Sequence, residues 1–149
     1  MNPIRSLEEL ASHVRGLGGK TRIAVAAAED PNTLSSIARA VSEGFALGFL
    51  LGDAQKIAAV CAAEGIDPSL FEIRNVPDPG AAATEAVRMT RSGEADALMK
   101  GLVGTDKFLK AVLNKEKGLL PPKAVMSYVC ALELPQHNKL LFISDTAVL

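Results

Sequence analysis

The chain has 149 residues, of which 48% are apolar and 22% charged, with a net charge of -1. This composition is typical of one globular domain that buries a core of its own. The balanced charge gives no electrostatic basis for binding nucleic acid or a membrane surface. The longest apolar run, FALGFLLG, is too short to cross a bilayer. Because MNPIRSLEEL at the N-terminus has no apolar signal core, we expect a cytoplasmic protein.

Neither the cysteines nor the histidines are spaced like metal ligands. Cys61 falls at an apolar position of a helical pattern and Cys130 at an apolar position of a strand pattern, which predicts two reduced thiols in the core. His13 and His137 are too far apart in sequence to indicate a shared metal site.

Strand patterns and helix patterns alternate along most of the chain. Ser6 and Glu9 form a capping-box pattern before an amphipathic helix that the glycines of 16–19 end. Near-continuous apolar runs, each followed by a helical stripe, predict four strands at residues 22–28, 48–53, 71–76 and 95–99. Asp30 and Pro31 suit the N-cap and the first position of the helix after the first strand.

Four strand–helix units predict an α/β fold, with a mostly parallel sheet between two layers of helices. Residues 124–133 and 139–144 predict two further strands, joined by the turn LPQHN, which we expect to add an antiparallel hairpin at the C-terminal edge. The sequence stops soon after this hairpin, with no helix to cover the last strand. We therefore expect residues 1–149 to be a single α/β domain, the truncated first domain of a longer protein.

The fourth predicted strand leads into a junction suited to binding an anion. In an open parallel sheet, ligands bind beyond the carboxyl ends of the strands, which is where Lys100 lies. Gly101 and Gly104 allow close backbone approach, and Thr105 can cap the next helix or offer its hydroxyl. The N-terminus of that helix presents free N–H groups and a positive dipole end, so the junction predicts a phosphate site. Polar pairs also follow other strands, at Glu29-Asp30, Gly52-Asp53 and Ser144-Asp145.

Positive charge is concentrated near this junction. Residues 100–123 contain six lysines and two acidic residues, a net +4, so the remainder of the chain carries -5. Lys107 and Lys110 fall in the first two turns of the predicted helix, and Lys115 and Lys117 near its C-terminus. A solvated lysine-rich face explains the same pattern, and the stretch lacks the Lys-Ser/Thr of a Walker-type loop. Both interpretations stay open from the residues alone.

Two long stretches, ADALMKGLVGTDKFLKAVLNKEKGL at 95–119 and VMSYVCALELPQHNKLLFISDTAV at 125–148, resemble the phosphate acetyl/butyryltransferase family. The likeness is to its butyryltransferase-like branch, and VAAAEDPNTLSSIARAV and GFLLGD extend it over nearly the whole chain. It implies reversible exchange of an acyl group between coenzyme A and phosphate, in a cleft between two α/β domains. It further implies a homo-oligomer, commonly a dimer, that takes coenzyme A as a substrate and holds no permanently bound cofactor.

The resemblance also implies roles for individual residues. Thr105 and Lys110 match positions where the family places a Ser/Thr and a basic residue near the phosphate. Ser127 and Asp145 fall on recurring family positions, whereas Tyr128 replaces a histidine found in many relatives. Lys100, Gly101 and Gly104 complete the set of expected substrate-binding residues.

The family's second domain, which this sequence lacks, is implied to supply the catalytic residues and most coenzyme A contacts. We therefore expect the isolated chain to have little or no activity. The alternative function is a non-catalytic α/β module that binds a phosphorylated metabolite or a protein partner. A dehydrogenase of the isocitrate type has a similar fold, but it requires a cluster of metal-binding aspartates, and the sequence does not show one.

Overall fold

The computed structural model describes residues 3–145 and has two compact units. Of the described residues, the sheet unit comprises 20–122, and the hairpin unit combines 3–19 with 123–145. The sheet unit contains, in chain order, β1 (Thr21–Ala26), α2 (Pro31–Ser42), β2 (Ala46–Gly52), α3 (Ala54–Glu64), a 3-10 turn (Pro68–Leu70), β3 (Phe71–Asn75), α4 (Pro79–Arg91), β4 (Ala97–Lys100) and α5 (Thr105–Val112). The hairpin unit contains α1 (Leu7–Gly16), β5 (Val129–Leu132) and β6 (Leu141–Ser144). The expectation that residues 1–149 are one domain stays a prediction.

The sheet unit is built on four parallel strands in the order β3-β2-β1-β4. β1 pairs with β2 from Thr21 to Ala26 and with β4 from Ile23 to Ala26. Residues 24–28 are fully buried, as expected for a strand covered on both faces. The parallel sheet predicted from the strand–helix alternation is confirmed.

Helices cover both faces of this sheet. On one face, α2 and α3 bury Leu34, Ile37, Ile57 and Cys61. On the other face, α4 buries mostly alanines together with Met89, and Phe108 of α5 packs against the same cluster. The three-layer α/β arrangement is therefore confirmed.

Carboxylate caps begin three helices of the sheet unit. Asp30 accepts a hydrogen bond from the N–H of Thr33 at 2.8 Å, and Pro31 occupies the first turn, as the sequence predicts. Asp53 and Asp78 cap α3 and α4 in the same way. Within residues 3–145, no helix is long and apolar enough to cross a membrane.

In the hairpin unit, β5 and β6 pair antiparallel, as predicted. They form a two-stranded sheet of their own, so the expectation that they extend the edge of the parallel sheet is wrong. The boundary between the units follows Pro121 and Pro122, which have no N–H to donate to a strand ladder. The hairpin is tied instead to α1, where the N–H of Leu7 donates to the Glu133 carboxylate at 2.9 Å.

The two cysteines differ in burial. Cys61 is fully buried between α3 and the sheet, which confirms the predicted core thiol, and burial raises the pKa of this thiol. Cys130 on β5 is only half-buried, because the two-stranded sheet gives it less cover. The proximity of this thiol raises the pKa of the Tyr128 phenol.

Candidate functional site

The strand order places a topological switch point at the carboxyl ends of β1 and β4. After β1 the chain moves to β2 on one side, and later returns to β4 on the other side. Connections that leave in opposite directions open a crevice beyond the strand ends, the usual ligand position in open α/β sheets. Ala26 and Lys100 are paired in register there. The predicted Lys100-Gly101 junction thus lies at the switch point.

The backbone at the switch point is closely packed. The N–H of Gly101 donates to the Ala26 carbonyl at 2.9 Å, and the N–H of Leu102 donates to the Ala27 carbonyl at 2.6 Å. A Cβ atom at position 101 would overlap the Ala27 carbonyl oxygen. Ala27 itself has a positive φ of 56°, a rare conformation for a non-glycine residue. Glycine is therefore required at 101 to let two strand ends meet, and its N–H is already used.

The start of α5 differs in detail from the sequence prediction. Thr105 is the first helical residue and Gly104 is the N-cap, so Thr105 does not cap the helix. The N–H groups of Thr105, Asp106 and Lys107 have no acceptor within the helix and stay available. The Asp106 carboxylate lies 2.5 Å from where a Cβ on Gly104 would be. Its negative charge at the helix start would oppose a bound anion.

A pocket of about 330 Å³ lies between α4 and α5. It is lined by Gly80, Thr84, Val87, Lys107, Lys110, Ala111, Asn114 and Lys117. Of the residues expected from the sequence to bind substrate, Lys110 lines this pocket, whereas Lys100, Gly101, Gly104 and Thr105 do not.

Lys117 lies in this pocket because α5 ends earlier than the sequence suggests. The helix stops at Val112, so the placement of Lys115 and Lys117 near its C-terminus is wrong. The Asn114 side chain accepts hydrogen bonds from the N–H groups of Glu116 and Lys117, at 3.0 and 2.9 Å. Such a side-chain turn competes with helix continuation.

Gly118 completes the turn after α5. It is buried, its N–H donates to the Asn114 carbonyl at 2.8 Å, and a Cβ there would overlap the Val112 carbonyl oxygen. The Arg91 guanidinium of α4 donates to the Gly118 carbonyl at 2.8 Å. These contacts hold the turn against α4 and α5, which brings Lys117 beside Lys110. The glycine in KEKG is the feature of the sequence that could have indicated this turn.

Ser127 and Asp145 lie at the open end of the β5–β6 hairpin, in the hairpin unit. The N–H of Asp145 donates to the Tyr128 carbonyl at 3.0 Å, next to Ser127 along the chain. The Tyr128 N–H lies 3.4 Å from the Asp145 carboxylate. Both Ser127 and Asp145 are exposed. The fold thus brings these two predicted residues together, while the other predicted residues belong to the sheet unit.

The acidic residue after β1 has a structural role. Glu29 accepts a hydrogen bond from the N–H of Asp53 at 2.7 Å and so fixes the start of α3. A Cβ on Gly52 would lie 2.7 Å from the Glu29 carboxyl carbon. Glycine at 52 therefore makes room for this carboxylate beside β2.

The sheet order, the switch point and the helix that starts beyond it define an open α/β domain, a class that binds ligands beyond the strand ends. No family model matches the chain. The chain is 40% identical over 143 residues to a phosphate butyryltransferase of Clostridium beijerinckii, covering 96% of this chain and 47% of the relative. It is 32% identical over 146 residues to a phosphate acetyltransferase of Thermotoga maritima, again covering 96% of this chain and 47% of the relative. These findings confirm the resemblance to the phosphate acetyl/butyryltransferase family.

Solved structures share the same fold. A branched-chain phosphotransacylase from Enterococcus faecalis superimposes with a TM-score of 0.67 at 22% identity, covering 86% of this chain and 43% of that one. A phosphotransacetylase from Streptococcus pyogenes gives a TM-score of 0.66 at 15% identity, covering 85% and 47%. At 22% and 15% sequence identity, these two comparisons show a shared fold alone. The chain spans about half the length of the relatives it matches.

Proposed function

We propose that this chain supplies the phosphate-binding side of an enzyme that exchanges a short-chain acyl group between coenzyme A and phosphate. The observation that carries the proposal is the 40% identity to a phosphate butyryltransferase, which covers 96% of the chain. A non-catalytic binding module is not favoured, because the relatives matched over most of the chain are named as transferases. A cytoplasmic location and a homo-oligomeric state remain part of this proposal.

Phosphate is proposed to bind at the start of α5, beyond the switch point. Its ligands would be the free N–H groups of the first turn, the Thr105 hydroxyl, and the ammonium groups of Lys100 and Lys110. Gly104 at the N-cap adds no side chain of its own to this approach, although the Asp106 carboxylate lies beside it. A helix N-terminus contributes roughly 0.3–1 kcal/mol to binding an exposed anion. Charge-assisted hydrogen bonds add roughly 1.5–3 kcal/mol each.

These contributions support only weak binding by this chain alone. Association costs offset much of the gain, and Asp106 opposes the anion, so we expect a dissociation constant in the millimolar range, about 4 kcal/mol. In the complete reaction, a phosphate oxygen would attack the thioester carbonyl and coenzyme A would leave as its thiolate. Lysines near the phosphate would neutralise charge as the acyl group is transferred. The catalytic base and most coenzyme A contacts are expected to come from outside this chain.

Ser127 and Asp145 remain proposed substrate-binding residues through the resemblance alone. Ser127 is next in sequence to Tyr128, whose backbone bonds to Asp145, and this placement supports a joint role. Coenzyme A is proposed as a substrate that is bound and released, and no permanently bound cofactor is proposed.

Phosphate titration followed by ¹H–¹⁵N NMR tests the proposed phosphate site. We expect shifts centred on residues 100–110, and we expect Lys100→Ala to weaken phosphate binding several-fold. Lys115→Ala removes the same charge from an exposed residue outside the site and should leave binding almost unchanged. Shifts that leave residues 100–110 untouched would return this stretch to the simpler interpretation, a solvated lysine-rich helix.

A further inference from the structure

We infer that the pocket between α4 and α5 is a separate site for a small organic phosphate that carries two or more negative charges. This inference does not rest on the acyltransferase proposal. The pocket lies along the length of α5 and does not include Lys100, Gly101 or Thr105 at the switch point. Lys110 is common to both sites, and contacts with Lys117 and with α4 distinguish the occupant of the pocket from a phosphate at the start of α5.

Three lysines line this pocket from two segments. Lys107 and Lys110 come from α5, and Lys117 comes from the turn that follows it. Among residues 3–145, none of these three lysines forms an ion pair, and no carboxylate lines the pocket. Like charges gathered in a concave surface repel one another and concentrate anions. A ligand with several negative charges would relieve this repulsion.

The charge of Arg88, a nearby residue of α4, is balanced by carboxylates, unlike that of the pocket lysines. Arg88 on α4 pairs with Glu85 at 2.7 Å and with Glu94 at 2.8 Å. Hydrogen bonds to these two carboxylates raise the pKa of the Arg88 guanidinium further. Carboxylates thus neutralise Arg88, whereas no described ion pair neutralises the three pocket lysines.

The size and lining of the pocket indicate a small organic ligand. Its volume of about 330 Å³ is at the low end of the range of roughly 300–1,000 Å³ for small-molecule sites. Ala111 and the almost fully buried Val87 form the apolar part of the lining, and Thr84 and Asn114 add a hydroxyl and an amide. Phosphate groups would face the lysines, while a carbon skeleton would lie on the apolar part.

Close backbone contacts position the segments that line the pocket. The turn that positions Lys117 is closed by Gly118 and anchored by Arg91 of α4. On the opposite wall, the Lys107 side chain passes 4.0 Å from where a Cβ on Gly80 would be. A larger residue at position 80 would therefore narrow the pocket beside Lys107.

Titration of the ¹⁵N-labelled chain with ADP, at constant ionic strength, tests this site. We expect amide shifts at residues 80–87 and 107–117, and no comparable shifts with adenosine, which lacks the phosphates. Lys107→Ala and Lys117→Ala should each raise the dissociation constant of ADP about 3- to 10-fold. Lys115→Ala removes the same charge from the same turn outside the pocket, and it should change the constant less than about twofold.

Two results would overturn the inference. One is an equal loss of ADP binding in Lys115→Ala, which would indicate attraction by overall charge. The other is a set of ADP shifts that omits residues 80–87. Because Lys107 lies on α5 itself, its variant tests the site even if Lys117→Ala disturbs the turn. Lys100→Ala should weaken phosphate binding at the start of α5 and leave the ADP shifts at 80–87 in place, which separates this site from the proposed phosphate site.

Discussion

The backbone of Gly101 lies directly against the carbonyl oxygen of Ala27, so that the carboxyl ends of β4 and β1 meet without a side chain between them. A Cβ at 101 would also lie 2.8 Å from the Ala26 carbonyl oxygen. Backbone atoms in a central strand move little, so Gly101→Ala should force the strand ends apart. We expect it to lower the free energy of unfolding by about 1–3 kcal/mol, measured by urea denaturation.

Gly19→Ala is the matched control for this substitution. Position 19 has open space around the added methyl group and no positive φ. It should change the free energy of unfolding by less than about 0.5 kcal/mol. Equal destabilisation by Gly101→Ala and Gly19→Ala would show that the close approach of Gly101 to the Ala27 carbonyl does not cause the loss of stability.

Asp96 and Arg22 form a pair that makes stability depend on pH. The Asp96 carboxylate accepts hydrogen bonds from the Arg22 side chain at 2.6 and 3.0 Å and from its N–H at 2.9 Å. These bonds lower the pKa of Asp96 from 3.8 to about 2. The pair therefore stabilises the fold fully above the unfolded value, and this contribution is lost as the pH falls through the folded value.

Asp96→Asn should accordingly melt at a lower temperature than the parent chain at pH 7. Because the pair is solvent-exposed, the difference should be modest. It should shrink as the pH falls below 3.8 and be lost once the pH is below about 2. Thermal melts followed by circular dichroism across this pH range measure it. A difference that stays constant down to pH 2 would contradict the role assigned to the Asp96 carboxylate.

Acyltransferase activity of the 149-residue polypeptide should be close to background. The chain spans 47% of the length of a phosphate butyryltransferase that it resembles, and the resemblance implies that catalytic residues lie in the remainder. Thiol release from butyryl-CoA, with and without added phosphate, measures this activity. Turnover approaching that of a full-length phosphate butyryltransferase would show that this chain contains the catalytic groups itself.

The sheet and its helix starts could be predicted because they depend on local pattern. Residues 23–28 are apolar throughout. A strand buried on both faces requires such a run, whatever its surroundings. Asp30 and Pro31 specify the start of α2 through local contacts, without help from distant residues. Elements specified in this way appear at or near the positions that the sequence indicates.

The lysine pocket could not be predicted, because it depends on contacts between distant residues. Helical spacing continues past Val112, yet the chain turns there and Arg91 holds the carbonyl of Gly118. Helical periodicity alone would place Lys117 on a further turn of α5, whereas in the structure it lines the pocket. The separation of the hairpin from the main sheet has a similar origin, since apolar strand patterns do not specify which sheet a strand joins.

The β5–β6 hairpin is expected to mediate self-association. Val129 is 68% exposed and Phe142 is 63% exposed. Because Phe142 pairs with Ala131, two residues beyond Val129, both side chains lie on the same face of the two-stranded sheet. Burying such a face between two copies would remove apolar surface from water and cover unpaired strand edges.

Phe142→Ser should therefore weaken self-association by about tenfold or more, since burying a phenylalanine contributes roughly 1.5–3 kcal/mol. Leu102→Ser provides the control, because Leu102 is 62% exposed but belongs to the sheet unit. Sedimentation velocity over a range of concentrations measures both variants. If the parent chain stays monomeric at the highest concentration, or if both substitutions reduce association equally, the exposed face of the hairpin is not the contact surface. A loss confined to Phe142→Ser would locate the contact on this face, because only that variant removes apolar surface from the hairpin.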